Sequence, residues 1–99
     1  MKLNSYTIYD SASGSYCRPF FNNADGAAVR EFADIAHDKT HPIGKHPEHY
    51  SIWRNGIFDD QTGKYSPEKP EHMANAHELI TQKADDDQPD LFESAGLTA

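Results

Sequence analysis

The sequence predicts an α+β domain. A small, mostly antiparallel sheet is built on a central β-hairpin at about residues 49–66, with one amphipathic helix at about residues 24–37 packed on it and a disordered acidic tail behind. Three observations point there. An aromatic and β-branched run over residues 50–58 holds the only Trp and ends in the polar turn Asp59-Asp60-Gln61-Thr62-Gly63. Such residues suit a pleated, half-buried surface, and Gly63 supplies the positive φ of a tight connection. Apolar residues then recur at helical spacing through Ala28 or Val29, Phe32, and Ile35 or Ala36, with Arg30, Glu31 and Asp34 mostly elsewhere. Finally, the composition changes near residue 82: all nine Lys and Arg lie no later than Lys83, while five of the sixteen acids (Asp85, Asp86, Asp87, Asp90, Glu93) follow it.

The elements follow in order. Residues 2–9 alternate, with Leu3, Ser5, Thr7 and Tyr9 on one side and Asn4, Tyr6 and Ile8 on the other, which is strand periodicity. Residues 10–15 form a turn, and residues 16–21 return as a short strand that Pro19 confines to an edge or an irregular end. Asn23 or Asp25 is positioned to cap the helix by accepting from free backbone N–H groups. Residues 38–49 form a polar loop with prolines at 42 and 47. After the hairpin, Pro67 and Pro70 are expected to break the chain; residues 71–81 then read as a short helix, in preference to an irregular arm with a strand at 78–80. The division expected is one domain over 1–82 and a tail over 83–99 that carries a short linear motif.

Composition bounds the function. At 99 residues the chain makes one domain with a modest core, too small to enclose a deep active site easily on its own. A formal net charge of −7 gives no support for non-specific binding of polyanions, which rests on Lys and Arg. Cys17 is the only cysteine, so no internal disulfide is available, which suits a reducing compartment. No apolar run approaches a membrane span and the N-terminus lacks the apolar core of a signal peptide. The expectation is a soluble protein of the cytoplasm with no membrane partner. Oligomeric state stays open, and a homodimer through paired edges or a shared aromatic face is one option.

No set of residues spells catalysis. Six histidines, at 37, 41, 46, 49, 72 and 77, match no zinc spacing, and ordinary loop histidines are the expectation; no metal and no cofactor is assigned. Cys17 beside Arg18 has no base or orienting group singled out for it, and the glycines are too scattered for a phosphate loop. The protein is read as no enzyme. Aromatics at 50, 53, 58 and 65 could stack on bases, with Lys45, Trp53, Arg54 and Lys64 as nucleic-acid contacts, but alternate members forming a core is the reading favoured. The sharpest motif is in the tail. Residues 88–92, Gln-Pro-Asp-Leu-Phe, are similar to the bacterial sliding-clamp-binding motif, in which Gln88 would bond at a pocket rim, Asp90 holds the Ser-or-Asp position, and Leu91 and Phe92 would enter the pocket.

Several short stretches carry a wider resemblance: Met1-Lys2-Leu3 with Tyr9-Asp10; Pro19-Phe20-Phe21; Ala28-Val29-Arg30 with Phe32-Ala33-Asp34; Lys45-His46-Pro47-Glu48 with Tyr50; and Gly56 with Phe58-Asp59 and Gly63. In this order and spacing the chain resembles a small nonstructural protein of the microviruses, in particular the gokushovirus branch of single-stranded DNA bacteriophages. His49 departs from the pattern, which has an acidic residue there, and the tail lies outside it. The resemblance implies a DNA-binding, nonstructural protein of the host cytoplasm that helps switch replication from double-stranded copying to single-stranded genome synthesis. It supplies no catalytic residues and does not say which residues meet DNA. Two mechanisms follow as expectations. One is docking on the host polymerase sliding clamp through the tail, and the other is single-stranded DNA binding by the hairpin face. A scaffold or minor virion component is the alternative outside both.

Overall fold

Strand β1 (Lys2–Asp10) is the axis on which the other strands assemble. The computed structural model describes residues 1–86, with side chains through Thr81. β2 (Ser15–Tyr16) and β3 (Phe20–Asn22) return antiparallel along one edge of β1, and β4 (Tyr50–Asp59) pairs antiparallel with its other edge. β5 (Tyr65–Asn75) pairs with β4, giving the order β2-β1-β4-β5 with β3 also on β1. The reversal after β1 is set by Gly14, at φ 72°, and by Asp10, whose carboxylate accepts from the Ala12 N–H at 2.9 Å. The returning chain is interrupted between β2 and β3 at residues 17–19, where Pro19 has no N–H to offer. Cys17 still ties this stretch down, donating its N–H to the Ile8 carbonyl at 2.8 Å and accepting from Thr7 Oγ1 at 2.8 Å.

Helix α1 (Asp25–Ala36) buries Ala28, Phe32 and Ala36, one residue per turn along a single stripe. Its N-cap is Ala24 and carries no side-chain bond, so neither Asn23 nor Asp25 caps it as expected. Asn22 instead accepts from the Asn23 N–H at 2.7 Å, and the Asp25 carboxylate turns inward toward the sheet. Asp25 still opens the first turn, where a negative charge suits the helix dipole. The expected polar loop contains two helical turns, α2 (Pro42–Lys45) and a 3-10 turn (Pro47–His49). Ile43 and Gly44 are buried there. A side chain at Gly44 would place its Cβ 1.8 Å from the Asp38 carbonyl oxygen, so only glycine lets these two segments meet.

The β4–β5 hairpin turns where the sequence places it. Gly63 adopts φ 75°, and the Asp59 carboxylate, held below its usual pKa range by hydrogen bonds led by that from the Gln61 N–H, closes the turn. The second strand runs well past the expected end, however. β5 passes through both Pro67 and Pro70 because it is the outer strand, where a missing N–H leaves no ladder bond unmade, and because its register shifts against β4 between Arg54 and Gly56. Helix α3 (Ala76–Asp86) begins only after Asn75, whose side chain donates to Glu78 Oε1 at 3.2 Å. It continues beyond residue 82, so residues 83–86, expected to be tail, are helical. The rest of the expected tail lies outside the described residues.

All helices contribute to one face of the sheet. Tyr6, Ile8 and Ile52 from the strands meet Ala28, Phe32 and Ala36 of α1, Ile43 of α2 and Ala76 of α3, with Phe20, Tyr50, Met73, Leu79 and Ile80 packed around them. No described helix is long and apolar enough to cross a membrane.

Candidate nucleic-acid interface

The register of β1 on β4 sorts side chains to two faces. Tyr6 lies opposite Arg54, Ile8 opposite Ile52 and Asp10 opposite Tyr50, and these belong to the helix-covered face. Thr7 opposite Trp53 and Tyr9 opposite Ser51 belong to the other. Between Ser5 and Tyr6 the register shifts: Tyr6 pairs with Arg54 and Ser5 with Gly56, leaving Asn55 without a partner on β1. A bulge of this kind adds a residue to one strand and resets its alternation. Trp53 and Phe58, five positions apart, would otherwise point to opposite sides; with the bulge they share one.

The result is a continuous aromatic face that no described helix covers. Phe21 and Phe58 have ring centroids 5.4 Å apart, Trp53 and His72 meet edge to face at 5.1 Å, and Tyr9 and Tyr16 lie 4.8 Å apart at the far end. Tyr65 crosses over Gly56 and reaches Ser5 Oγ at 3.4 Å; a Cβ on Gly56 would come within 2.7 Å of its hydroxyl. Gly56 is thus the floor that lets this ring lie on the sheet. Tyr16, Phe21 and Tyr65 are 51%, 44% and 42% exposed, unusual for large apolar side chains gathered on one surface of a small domain.

The polar groups between the rings are satisfied internally. Ser5 donates to Asn55 Oδ1 at 2.7 Å, Thr7 bonds the Cys17 carbonyl, and the Trp53 indole N–H donates to Ser51 Oγ at 2.9 Å. These bonds fix the rings' supports. The face is also free of carboxylates from the two central strands, because Asp10 and Asp59 fall at the alternate positions, opposite Tyr50 and Lys2. In an acidic chain, that sorting keeps the carboxylates of β1 and β4 off this face.

Of the residues expected to meet nucleic acid, Trp53 lies on this face together with the stacking candidates Phe58 and Tyr65, whereas Lys45, Arg54, Lys64 and Tyr50 do not. Arg54 points to the helix side and is held there: its guanidinium donates to Asp25 Oδ2 at 2.8 Å and to Glu71 Oε1 at 2.7 Å. Asp25 also accepts from Tyr6 Oη and from Asn4 Nδ2 at 3.1 Å, so one carboxylate links the start of α1 to β1, β4 and, through Arg54, β5. Burial, reinforced by the bond to Asp25, pushes the Tyr6 hydroxyl up to about 12. Lys45 ends α2, away from the rings. Lys64 sits in the β4–β5 turn and lines a shallow cleft with Lys2, Ile57 and Asp59, all on the helix side of the register. Gln88, Asp90, Leu91 and Phe92 lie outside the described residues. The face adds Phe21, Tyr9, Tyr16 and His72 to the candidates. Tyr9 was signalled by its alternation with Ser5 and Thr7, and Phe21 by following the core-directed Phe20 in a strand.

The histidines are accounted for locally. His37 Nδ1 lies 2.7 Å from the Ala33 carbonyl, His41 accepts from the Ile43 N–H at 3.1 Å, and the rings of His46 and His49 stack at 5.9 Å. Among the described residues no cluster of three His, Cys, Asp or Glu has the geometry to hold a metal.

The family described as Phage ORF5 protein matches this chain over residues 3–79. No curated protein and no solved structure matches it. With the match spanning most of the chain, and all but the first residue of the sheet that carries the aromatic face, the protein belongs to the phage ORF5 family.

Proposed function

We propose that this phage ORF5 protein is a non-enzymatic binding protein that holds single-stranded DNA on the open face of its sheet, and that it acts in the switch from double-stranded to single-stranded viral DNA synthesis in the host cytoplasm. The observation that carries this reading is the gathering of Phe21, Trp53, Phe58 and Tyr65 on one face that no described helix covers and to which β1 and β4 contribute no carboxylate. Unpaired bases present apolar faces that stack on such rings, each contact contributing about 1–3 kcal/mol. A duplex hides those faces and would gain little. The replication role comes from the resemblance to microvirus nonstructural proteins.

The test is a titration of Trp53, the only Trp and therefore an unambiguous reporter. Single-stranded oligothymidylate should quench its fluorescence, and a duplex of equal length should not. Phe21→Ala with Tyr65→Ala should weaken binding at least tenfold while Trp53 remains folded in place. With no Lys or Arg of β1 or β4 on the face, and each neutralised phosphate adding about −0.7 to the salt slope, affinity should fall less than about tenfold between 50 and 200 mM salt. Equal quenching by duplex, or no response at low salt, would refute the reading.

A second reading rests on residues 88–92. Gln88, Asp90, Leu91 and Phe92 fit the pattern of a linear ligand for the host polymerase sliding clamp. Clamp docking would bring the DNA-holding face to the replication fork or block other clamp clients. Calorimetric titration of purified clamp should show binding by the full chain and loss of it in Leu91→Ala with Phe92→Ala; equal heats from both proteins would rule it out.

A further inference from the structure

An open groove of about 690 Å³ lies on the helix side, between α1, the end of β5 and α3. Val29, Met73, Ala74 and Leu79 form its apolar lining, and His72, His77, Glu78 and Thr81 its polar border. We infer that this groove is the docking site of the chain's own Leu91–Phe92 pair, so that the tail is held in cis on the body. The inference does not rest on the nucleic-acid reading, although His72 borders the groove and also packs edge to face on Trp53 across the β5 edge.

Position and reach argue for this occupant. The thirteen residues 87–99 leave directly from the end of α3, the same helix whose Leu79 lines the groove. From Asp86 back to Leu79 the helix spans roughly 10 Å at about 1.5 Å per residue. The five residues 87–91 extend to roughly 17 Å at most, enough to reverse at the helix end and set Leu91 beside Leu79. Pro89 falls inside that reversal, where its restricted φ favours a turn. Composition argues for the same pair: after Ile80 the large apolar side chains are Leu91, Phe92 and Leu97, the first two adjacent. A strongly hydrophilic chain, of mean hydropathy −0.83, otherwise leaves both this apolar groove and this apolar pair in water.

The chain's methionine content provides the assay. There are two methionines, Met1 at the N-terminus and Met73 in the groove, so methyl-labelled Met yields one groove signal and one distant control. In the full chain, Leu91→Ser with Phe92→Ser should shift the Met73 methyl signal and leave Met1 and the Phe58 amide unchanged. Excess peptide of residues 87–99 added to that variant should restore the Met73 position. An identical Met73 signal in the two proteins would overturn the inference. So would a difference that grows with protein concentration, which places the tail in a second copy, or a shift at Phe58, which places it on the open face.

Discussion

Raising the pH from 10 to 12 should destabilise this protein through Tyr6. Tyr6 is fully buried, and its hydroxyl is both desolvated and bonded to Asp25, which lifts its pKa from 10.0 to about 12. The neutral form is therefore favoured in the folded state. Below pH 10 folded and unfolded chains both keep the proton and the stabilisation is intact. Between pH 10 and 12 the unfolded chain releases it while the folded one does not, so stability falls as pH rises. At about 1.4 kcal/mol per unit, the loss from this group is about 1 kcal/mol at pH 11 and about 2 kcal/mol at pH 12. Against a total near 5–15 kcal/mol for a domain, that is measurable. The assay is urea unfolding of wild type and Tyr6→Phe at half-unit steps from pH 8 to 12. Titration of the remaining tyrosines and lysines is common to both proteins and cancels in the difference. Near pH 8 the variant should be less stable by about 1–3 kcal/mol, the cost of a lost bond to a charged group. That gap should close by about 2 kcal/mol at pH 12. Parallel pH profiles for the two proteins would refute the placement of Tyr6 against Asp25.

Other substitutions test separate parts of the fold and face. Gly56→Ala would bring a methyl within 2.7 Å of Tyr65 Oη and 2.8 Å of the Ser66 carbonyl oxygen; the ring can swing but the backbone cannot easily follow. It should cost about 1–3 kcal/mol in denaturant unfolding and weaken oligonucleotide binding by displacing Tyr65. Gly44→Ala meets the Asp38 carbonyl oxygen at 1.8 Å, which no side-chain motion relieves, and should cost about 3 kcal/mol or more by the same measurement. Arg54→Ala removes bonds to Asp25 and Glu71 and should destabilise by about 1–2 kcal/mol, most of it from the less exposed Asp25 pair. Because Arg54 lies on the helix side, oligonucleotide affinity should stay within about twofold of wild type; a larger loss would place nucleic acid on that side.

Much of this fold could be read from local patterns, because those patterns have local causes. Ala28, Phe32 and Ala36 recur at the helical period, and α1 begins and ends within a residue of the expected span. The alternation of β1 and the Gly63 turn were equally direct. What local reading missed depends on partners distant in sequence. Asp25 looks like a capping residue, yet Tyr6 and Arg54, 19 and 29 positions away, claim its carboxylate. Prolines 67 and 70 break a central strand but not an outer one, and only the pairing with β4 makes residues 65–75 that outer strand. The bulge at Asn55 matters most. Under strict alternation Trp53 and Phe58 occupy opposite faces, which favoured reading the aromatics as alternately core and cover. A one-residue shift against β1 turns them to the same side and assembles a surface from rings scattered between Tyr9 and His72.

The most direct test of the open face is chemical-shift mapping of the labelled full chain with a short oligothymidylate. Leu3, Phe21, Trp53, Phe58, Tyr65 and His72 should move together, and Ala28, Phe32, Lys45 and Leu79 should hold still. Perturbations centred on α1, α2 or the Lys64 turn, with the aromatic face silent, would contradict it.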